Sequence, residues 1–332
     1  MPLEEQYMSV YRMIFAPDVT VSGYTKGDDK YDECRAAIFH KFLEYGFLGT
    51  GWDTSYLQPE MTDEEIRAAM GVPKGPIGNF RCMCNMSKDD LVWIIFQSNY
   101  YLFRISENKL GTSWLRDRFE DQEQWFLDRD ISTCCTGEWC KVGNEMNVPG
   151  VIINNMSIGP TLREIKRAPE LSMMVWNRCT DSNYYCLKGM TEEWFWDQLT
   201  DRQIEGLVLS YLQVTYDCIV KTESLKHSTA LYECELIGKD GTRYLPQVKS
   251  GSSGNKGFPV EQFCRKIDEI GSQTGFPVVP VLFYENEDYG DYEHPRLIKL
   301  TKTDLTGFIR NNPQYISSNI NNAFNMIVSY VM

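Results

Sequence analysis

The stretch from residue 233 to 249 constrains the fold most, because an Asp-Gly turn signal there separates two runs of strand-forming residues. Such an arrangement indicates a β-hairpin, in whose strands side chains two positions apart point to the same face. Glu233 and Glu235 are therefore expected to share one face of the first strand. Gln247 and Lys249 are expected to share a face of the returning strand, so that the hairpin places carboxylates beside an amide and an ammonium group.

Two carboxylates on one strand face need a physical reason, because like charges repel and strands mildly disfavour Glu. A divalent metal ion would relieve the repulsion, since hard cations prefer carboxylate oxygens. Together with a Gln-x-Lys pair, such a site suits the positioning of a water molecule at a phosphodiester. The alternative is an exposed hairpin whose Glu and Lys side chains pair across the strands.

A helix is predicted for residues 199–212, shortly before the hairpin. Thr200 and Gln203 form a capping-box pattern at its start. The following apolar residues have the spacing of a buried helical stripe: Ile204, Leu207, Val208 and Tyr211. Glu205 adjoins this stripe. Taken by itself it is a solvated helix residue, whereas beside an acidic strand it could support a metal site.

The order of a helix Glu, an acidic strand and Gln-Val-Lys resembles the PD-(D/E)xK nuclease superfamily, in its Mrr-like restriction endonuclease branch. The resemblance covers about residues 199–313. It implies a restriction-endonuclease-like α/β domain with a mixed central sheet and an endodeoxyribonuclease activity that depends on Mg²⁺ or Mn²⁺. It also implies DNA as the substrate and a role in restriction or anti-phage defence.

The resemblance assigns roles to individual residues. Lys249 would orient or help to deprotonate the attacking water, and Gln247 would lie near the metal. Glu233 matches the acidic metal ligand, with Glu235 as the competing assignment. Glu205 matches the supporting Glu of the helix, so that the implied metal ligands come from these three carboxylates.

Two residues depart from the family pattern. The acidic position holds Glu where the family usually has Asp. Pro246 stands immediately before Gln247, and a proline cannot donate a hydrogen bond to a strand ladder. The sequence therefore predicts an unpaired edge or a bulge there. A degenerate site is the alternative, in which a catalytically inactive nuclease fold serves as a nucleic-acid-binding or assembly module.

The remainder of the carboxy-terminal region continues the α/β pattern. Residues 250–257 form a Gly/Ser-rich loop whose Lys256 could approach a phosphate backbone, although a flexible connector has the same composition. Four further elements are predicted: a helix over 260–275, a strand over 278–284, a short strand over 296–300 and a helix over 303–310. Residues 311–332 lack charged side chains and show helical apolar spacing, which predicts a core helix or a dimer contact.

The amino-terminal region contains short apolar runs separated by glycine turns, which predict a small β-barrel-like domain. Its pattern resembles the EVE/PUA-like barrels that read modified bases. Such a reader would stack a flipped base on aromatic side chains and read its edge with polar groups. The candidates are Trp52, Asp53, Trp93 and Tyr101. The position of Trp93 within an apolar strand favours a core role for that side chain.

The whole chain is therefore predicted to be α+β, with a β-rich sensor at 1–165, an aromatic-rich connector at 166–198 and a nuclease domain at 199–332. Its formal net charge of −13 argues against a general nucleic-acid binder, which usually has a basic surface. Binding would have to rely on a bound metal and a local basic patch, for which the candidates are Lys249, Lys256, Arg265 and Lys266. A basic partner on an acidic face is the third alternative.

The eleven cysteines are scattered and lack zinc-site spacing, which is consistent with reduced thiols in a cytoplasmic protein. No signal-peptide pattern or long apolar run is present, so no membrane association is expected. A homodimer or a larger defence complex is compatible with the proposed nuclease.

Overall fold

The computed structural model describes residues 8–15, 27–50, 58, 60–70, 77–109, 123–129, 131, 133–156, 161–166, 169–187, 190–226, 231–250 and 258–331. The chain divides into two compact units, Met1–Met190 and Thr191–Met332. The division falls inside the segment predicted as a connector. The helix Pro169–Thr180 belongs to the first unit, where its Trp176 is buried.

The first unit combines one sheet with helices. Its strands are β1 (Val10–Ile14), β2 (Phe47–Thr50), β3 (Leu91–Phe96), β4 (Asn99–Lys109), β5 (Thr133–Gly143) and β6 (Leu162–Glu164). Its helices are α1 (Asp29–Tyr45), α2 (Asp63–Met70), α3 (Ile77–Asn85), α4 (Glu123–Leu127), α5 (Gly150–Met156) and α6 (Pro169–Thr180).

The sheet of the first unit is mixed, with the strand order β2-β5-β4-β3-β1-β6. Strands β1 and β3 run parallel, whereas the other neighbours run antiparallel. Two register irregularities between β4 and β5 are of the kind that bends long strands. Within the described residues the edge strands β2 and β6 do not pair with each other. The structure confirms the α+β class and shows a mixed sheet curled into a half-barrel, so the predicted barrel-like character is confirmed in part.

The core of this unit is rich in aromatic rings. Helix α1 buries Ile38, Phe39 and Phe42 against the sheet. The rings of Phe39 and Phe96 stack with their centroids 4.4 Å apart, so the helix is held to the end of β3 by direct ring contact.

The second unit is an α/β arrangement. Its helices are α7 (Trp194–Asp197), α8 (Asp201–Thr215), α9 (Val260–Thr274), α10 (Lys302–Asn311) and α11 (Ser318–Val331). Its strands are β7 (Cys218–Val220), β8 (Leu236–Gly238), β9 (Arg243–Lys249), β10 (Val278–Tyr284) and β11 (Ile298–Leu300). The predicted helices of this region are confirmed, as are the returning hairpin strand and the strands over 278–284 and 296–300, with bounds that differ by a few residues. The predicted strand through Glu233 and Glu235 is wrong, because residues 231–235 are irregular and the first hairpin strand begins at Leu236.

The sheet of the second unit has the order β11-β10-β9-β8-β7. Strand β10 is parallel to β9 and β11, and β8 is antiparallel to β7 and β9. Helix α11 buries Ile320, Phe324 and Ile327, which confirms the core interpretation of the uncharged carboxy-terminal segment. Among the described residues no helix has the length and apolar character needed to span a bilayer.

Pro246 lies in β9 at a point where pairing with β8 has already ended. Strand β9 pairs with β8 through Arg243 and Tyr244 only, and continues beside β10 alone. Because proline has no N–H, the ladder toward residues 231–235 is interrupted, although the Pro246 carbonyl accepts the Glu233 N–H at 2.8 Å. The prediction of a locally unpaired strand edge is confirmed. The irregular segment 231–235 beside it carries both acidic residues of the hairpin.

Candidate functional site

Helix α8 presents Glu205 at the side of its buried stripe. The Thr200 side chain accepts the Gln203 N–H and the Gln203 side chain accepts the Thr200 N–H, so the predicted capping box is present. Four apolar residues of the helix are buried: Ile204, Leu207, Val208 and Leu212. Since Glu205 follows Ile204 directly, its carboxylate is half-buried at the edge of the core.

A cavity of about 290 Å³ lies between helix α8 and the irregular side of β9. It is lined by Arg202, Glu205, Leu209, Glu233, Cys234, Pro246 and Val248. The helix Glu and one Glu of the hairpin segment thus meet at one cavity, as the sequence predicted. The Cys234 thiol is fully buried, and burial raises its pKa to about 12, so this cysteine is a neutral wall of the cavity.

The buried amide of Gln247 is anchored on Glu233. Its Nε2 donates to Oε1 of Glu233, and this contact fixes the orientation of the amide because the reverse orientation would set two oxygens against each other. Oε1 of Gln247 is buried and has no hydrogen-bond partner among the described residues. A buried acceptor without a partner is costly, so this oxygen is a candidate ligand for a cation or a donor that enters the site.

The charges around Glu205 are unbalanced. Burial raises the pKa of Glu205, and the negative charges of Glu233 and Asp201 raise it further, while Arg202 and Lys249 act in the opposite direction. Within the described part of the chain, neither the Glu205 carboxylate nor the Lys249 ammonium has a hydrogen-bond or ion-pair partner. Two carboxylates that repel each other in a partly desolvated place are the electrostatic signature of a cation site.

Glu235 has a different environment although it lies two residues from Glu233. Its carboxylate pairs with Arg243 and with Lys221, whose Nζ is 3.4 Å away. Its backbone N–H donates to the Ser224 hydroxyl at 2.9 Å. Glu235 is 9% exposed, so its charge is neutralised inside the fold and directed away from Glu205. Glu205 and Glu233 line one cavity, and Gln247 is hydrogen-bonded to Glu233. Lys249 is near enough to Glu205 to lower the pKa of that carboxyl, whereas Glu235 is paired elsewhere.

Two further features of the site were not predicted, a hydrogen bond of Ser250 and the position of Arg202. The Ser250 hydroxyl donates to Asp201 at 2.8 Å, which ties the end of β9 to the first turn of α8. Arg202 lies on the cavity wall. The sequence places Asp201, Arg202 and Glu205 in the first two turns of one helix, which is a signal that these side chains lie close together. Only the fold shows that β9 ends beside this part of the helix.

The aromatic residues predicted to read a base in the first unit are placed differently. Trp93 is fully buried in the sheet, and its indole N–H donates to the Ser172 hydroxyl at 2.9 Å, so it cannot stack on a ligand. Tyr101 is partly buried and packs edge-on against the core residue Phe39, with ring centroids 4.8 Å apart. Trp52, Asp53 and Lys256 lie outside the described residues.

The residues of the site fit a hard divalent cation. Among the described residues no group of three or more His, Cys, Asp and Glu side chains is arranged to hold a metal. The cavity offers the carboxylates of Glu205 and Glu233, and the buried amide of Gln247 is hydrogen-bonded to Glu233, with its own oxygen lacking a partner among the described residues. Mg²⁺ binds through one or two carboxylates and keeps several waters, so such an incomplete oxygen set is of the kind that it accepts.

Comparisons of the chain with models of protein families, with curated proteins and with solved structures found no match. The family resemblance therefore depends on the residues and the geometry described above.

Proposed function

We propose that the second unit is a metal-dependent nuclease that hydrolyses phosphodiesters in DNA, as an endodeoxyribonuclease of restriction or anti-phage defence. The observation that carries the proposal is the buried Gln247 Oε1, which has no partner among the described residues and belongs to an amide bonded to Glu233, whose carboxylate shares a cavity with Glu205. These are the positions to which the PD-(D/E)xK resemblance gives catalytic roles. The restriction-endonuclease-like assignment of this α/β unit is part of the same proposal.

The residues of the site would divide the work between them. Glu233, Glu205 and the Gln247 oxygen would hold Mg²⁺ or Mn²⁺, which when bound polarises a phosphoryl oxygen and lowers the pKa of a coordinated water. Lys249 would orient the attacking water and stabilise the negative charge that develops on the phosphate. Its ammonium is available for this role because the fold gives it no carboxylate partner among the described residues.

Glu233 is the preferred acidic ligand in this proposal. Glu235 already has two cationic partners, and a metal could recruit it only after those ion pairs were broken. Glu233 keeps its second oxygen, Oε2, outside its contact with Gln247 and faces the cavity. Glu235 is then a structural residue of the same segment.

The first unit is proposed as the sensor that selects the DNA, through a modified base or another feature. Trp93 belongs to its core and Tyr101 is partly buried against that core, so the candidates from the sequence that keep this role are Trp52 and Asp53, which lie outside the described residues. The cytoplasm, and a homodimer or a larger defence complex, remain expectations of the proposal.

Cleavage assays test the nuclease directly. Wild type, Lys249→Ala and the control Lys239→Ala are incubated with Mg²⁺ or Mn²⁺ and with modified and unmodified duplex DNA, with RNA in parallel. The control removes one positive charge from Lys239, an exposed lysine of the hairpin turn that pairs with Asp217. Cleavage by wild type and the control, lost in Lys249→Ala and in chelator, is expected. Binding without cleavage on every substrate would instead indicate an inactive nuclease fold that serves as a binding module.

A further inference from the structure

Arg202 stands on the wall of the same cavity with an unpaired charge. It lines the cavity together with Glu205 and Glu233, and its side chain is exposed. Within the described residues its guanidinium makes no hydrogen bond or ion pair. Three of the other four arginines of this unit pair with carboxylates, Arg243 with Glu235, Arg296 with Asp268 and Arg310 with Glu192, whereas Arg265, outside the cavity, makes no ion pair within the described residues.

Arg202 is near enough to Glu205 to lower the pKa of that carboxyl, although the two side chains form no ion pair. It is the second residue of helix α8, in the first turn, where the free N–H groups already create a positive potential and a cation is unfavourable. A guanidinium at this point adds to that potential and favours an anion in front of it. Arg202 and Glu205 are three residues apart and so lie on one side of the helix, which directs both toward the cavity.

We propose that Arg202 is a phosphate-binding residue of the site, an inference that rests on the proposed hydrolysis of phosphodiesters. Its planar guanidinium donates two parallel hydrogen bonds to non-bridging oxygens of a substrate phosphate, a geometry that a point charge such as Lys does not provide. Arg202 lines the cavity with the carboxylates Glu205 and Glu233, and Lys249 of β9 adds a second positive charge near Glu205. The pair of cations explains how an acidic chain can bind a polyanion.

The substrate class follows from this arrangement. The ligand is an anion with tetrahedral phosphate oxygens that is bound by Arg202 and Lys249 without a metal, and a metal adds to the affinity through the carboxylates. Binding of DNA in chelator therefore depends on Arg202, whereas cleavage depends in addition on Lys249 and the metal. The two proposals can fail independently.

Fluorescence anisotropy of a labelled 20-base-pair DNA duplex, in EDTA at low salt, measures the binding step. Arg202→Ala is expected to raise Kd about 10-fold or more, because a charge-assisted bidentate contact is lost. The Kd of Arg202→Lys is expected to lie between those of Arg202→Ala and wild type, because lysine keeps the positive charge but cannot donate two parallel hydrogen bonds. The control Lys239→Ala, with the same change in net charge, is expected to stay within about twofold of wild type.

The outcomes separate the proposals. A Kd of Arg202→Ala equal to that of Lys239→Ala, or no binding by the wild type, overturns the assignment of Arg202. A loss of DNA affinity in Arg202→Ala but not in Lys239→Ala supports the assignment of Arg202. It does so even if no protein cleaves DNA with any metal, and that absence of cleavage would overturn only the proposed hydrolysis. Equal melting temperatures of the variants exclude a folding defect as the cause, and the partial affinity of Arg202→Lys provides a second readout if Arg202→Ala folds poorly.

Discussion

Glu233 and Glu235 are two residues apart in one segment, yet the fold treats their charges in opposite ways. Glu235 is enclosed by Arg243 and Lys221 and receives a further contact from Ser224. The Glu233 carboxylate accepts a hydrogen bond from the neutral amide of Gln247. The other carboxylate on the wall of its cavity is that of Glu205, which carries the same negative charge. One carboxylate is neutralised by the protein, and the other adds to a local excess of negative charge.

The contrast supports the proposed site. A chain that served stability alone would pair the Glu205 and Glu233 charges as it pairs Glu235, because a desolvated carboxylate near another lowers the stability of the fold. Retained electrostatic cost of this kind is typical of active sites, where stability is exchanged for the ability to bind a cation or a substrate. Four predictions test the contrast, in order of decreasing effect.

The largest difference is expected between two lysines. Lys249→Ala should reduce the rate of DNA cleavage by about 10²–10³-fold, because a donor to the developing charge is removed. Lys221→Ala, which removes a partner of Glu235 instead, should keep activity within about threefold of wild type, as an exposed ion pair contributes little. Single-turnover kinetics measure both, and similar losses in the two variants would contradict the division between the two carboxylates.

The stabilities of the two Glu variants should follow the reverse order. Glu235→Ala leaves the half-buried Arg243 without its carboxylate and should lower the free energy of unfolding by about 2–3 kcal/mol, less than for a fully buried pair. Glu233→Ala leaves only the Gln247 amide without an acceptor and relieves repulsion on Glu205, so a loss of about 1 kcal/mol is expected. Urea denaturation without metal gives both values. A larger loss in Glu233→Ala would show that Glu233 is the structural residue.

Metal should stabilise the protein through one carboxylate and not through the other. At a Mg²⁺ concentration ten times its Kd, the wild type should gain about 1.4 kcal/mol. Glu233→Gln should lose this gain, since it removes a ligand charge and keeps a hydrogen-bonding group beside Gln247. Glu235→Gln is the matched control and should keep the gain. Thermal melts with and without Mg²⁺ test this, and an equal gain in both variants would exclude Glu233 as a ligand.

The smallest effect concerns pH. Because folding raises the pKa of Glu205, the fold favours its protonated form, and the ionised form lowers stability at pH values above that pKa. Glu205→Gln should therefore be more stable than wild type at neutral pH in chelator, by about 0.5–1 kcal/mol for a half-buried and partly screened group. The difference should vanish at acidic pH, where Glu205 is protonated in the folded and unfolded states. Denaturation at several pH values measures it, and a difference that grows toward low pH would contradict the assigned cause.

The sequence was sufficient where the determinants are local. The capping box of Thr200 and Gln203, the apolar stripe of α8 and the Asp-Gly turn are short-range signals, and each is present in the structure. The meeting of Glu205 with Glu233 also followed, because a helix that packs on a hairpin brings those faces together. These features depend on few residues that are close in the chain.

The sequence was insufficient where partners come from distant segments. Equivalence of Glu233 and Glu235 was a fair inference from strand periodicity, but the segment 231–235 is irregular, and Lys221 lies on the far side of an intervening turn. In the first unit, short apolar runs separated by glycine turns predicted a small barrel, and the structure shows a mixed sheet curled into a half-barrel, in which β1 pairs parallel with β3. The core role of Trp93 followed from its apolar strand, but its hydrogen bond to Ser172 of the distant helix α6 did not.

Pro246 makes access to the site a property of one backbone position. Any other residue there would restore an N–H, and β8 could then extend toward Glu233 and regularise the segment that now borders the cavity. Such an extension would narrow the opening without altering the charge of any side chain. Position 246 is therefore the point at which an engineer, or evolution, can adjust the size of the opening while the acids and lysine of the site stay the same.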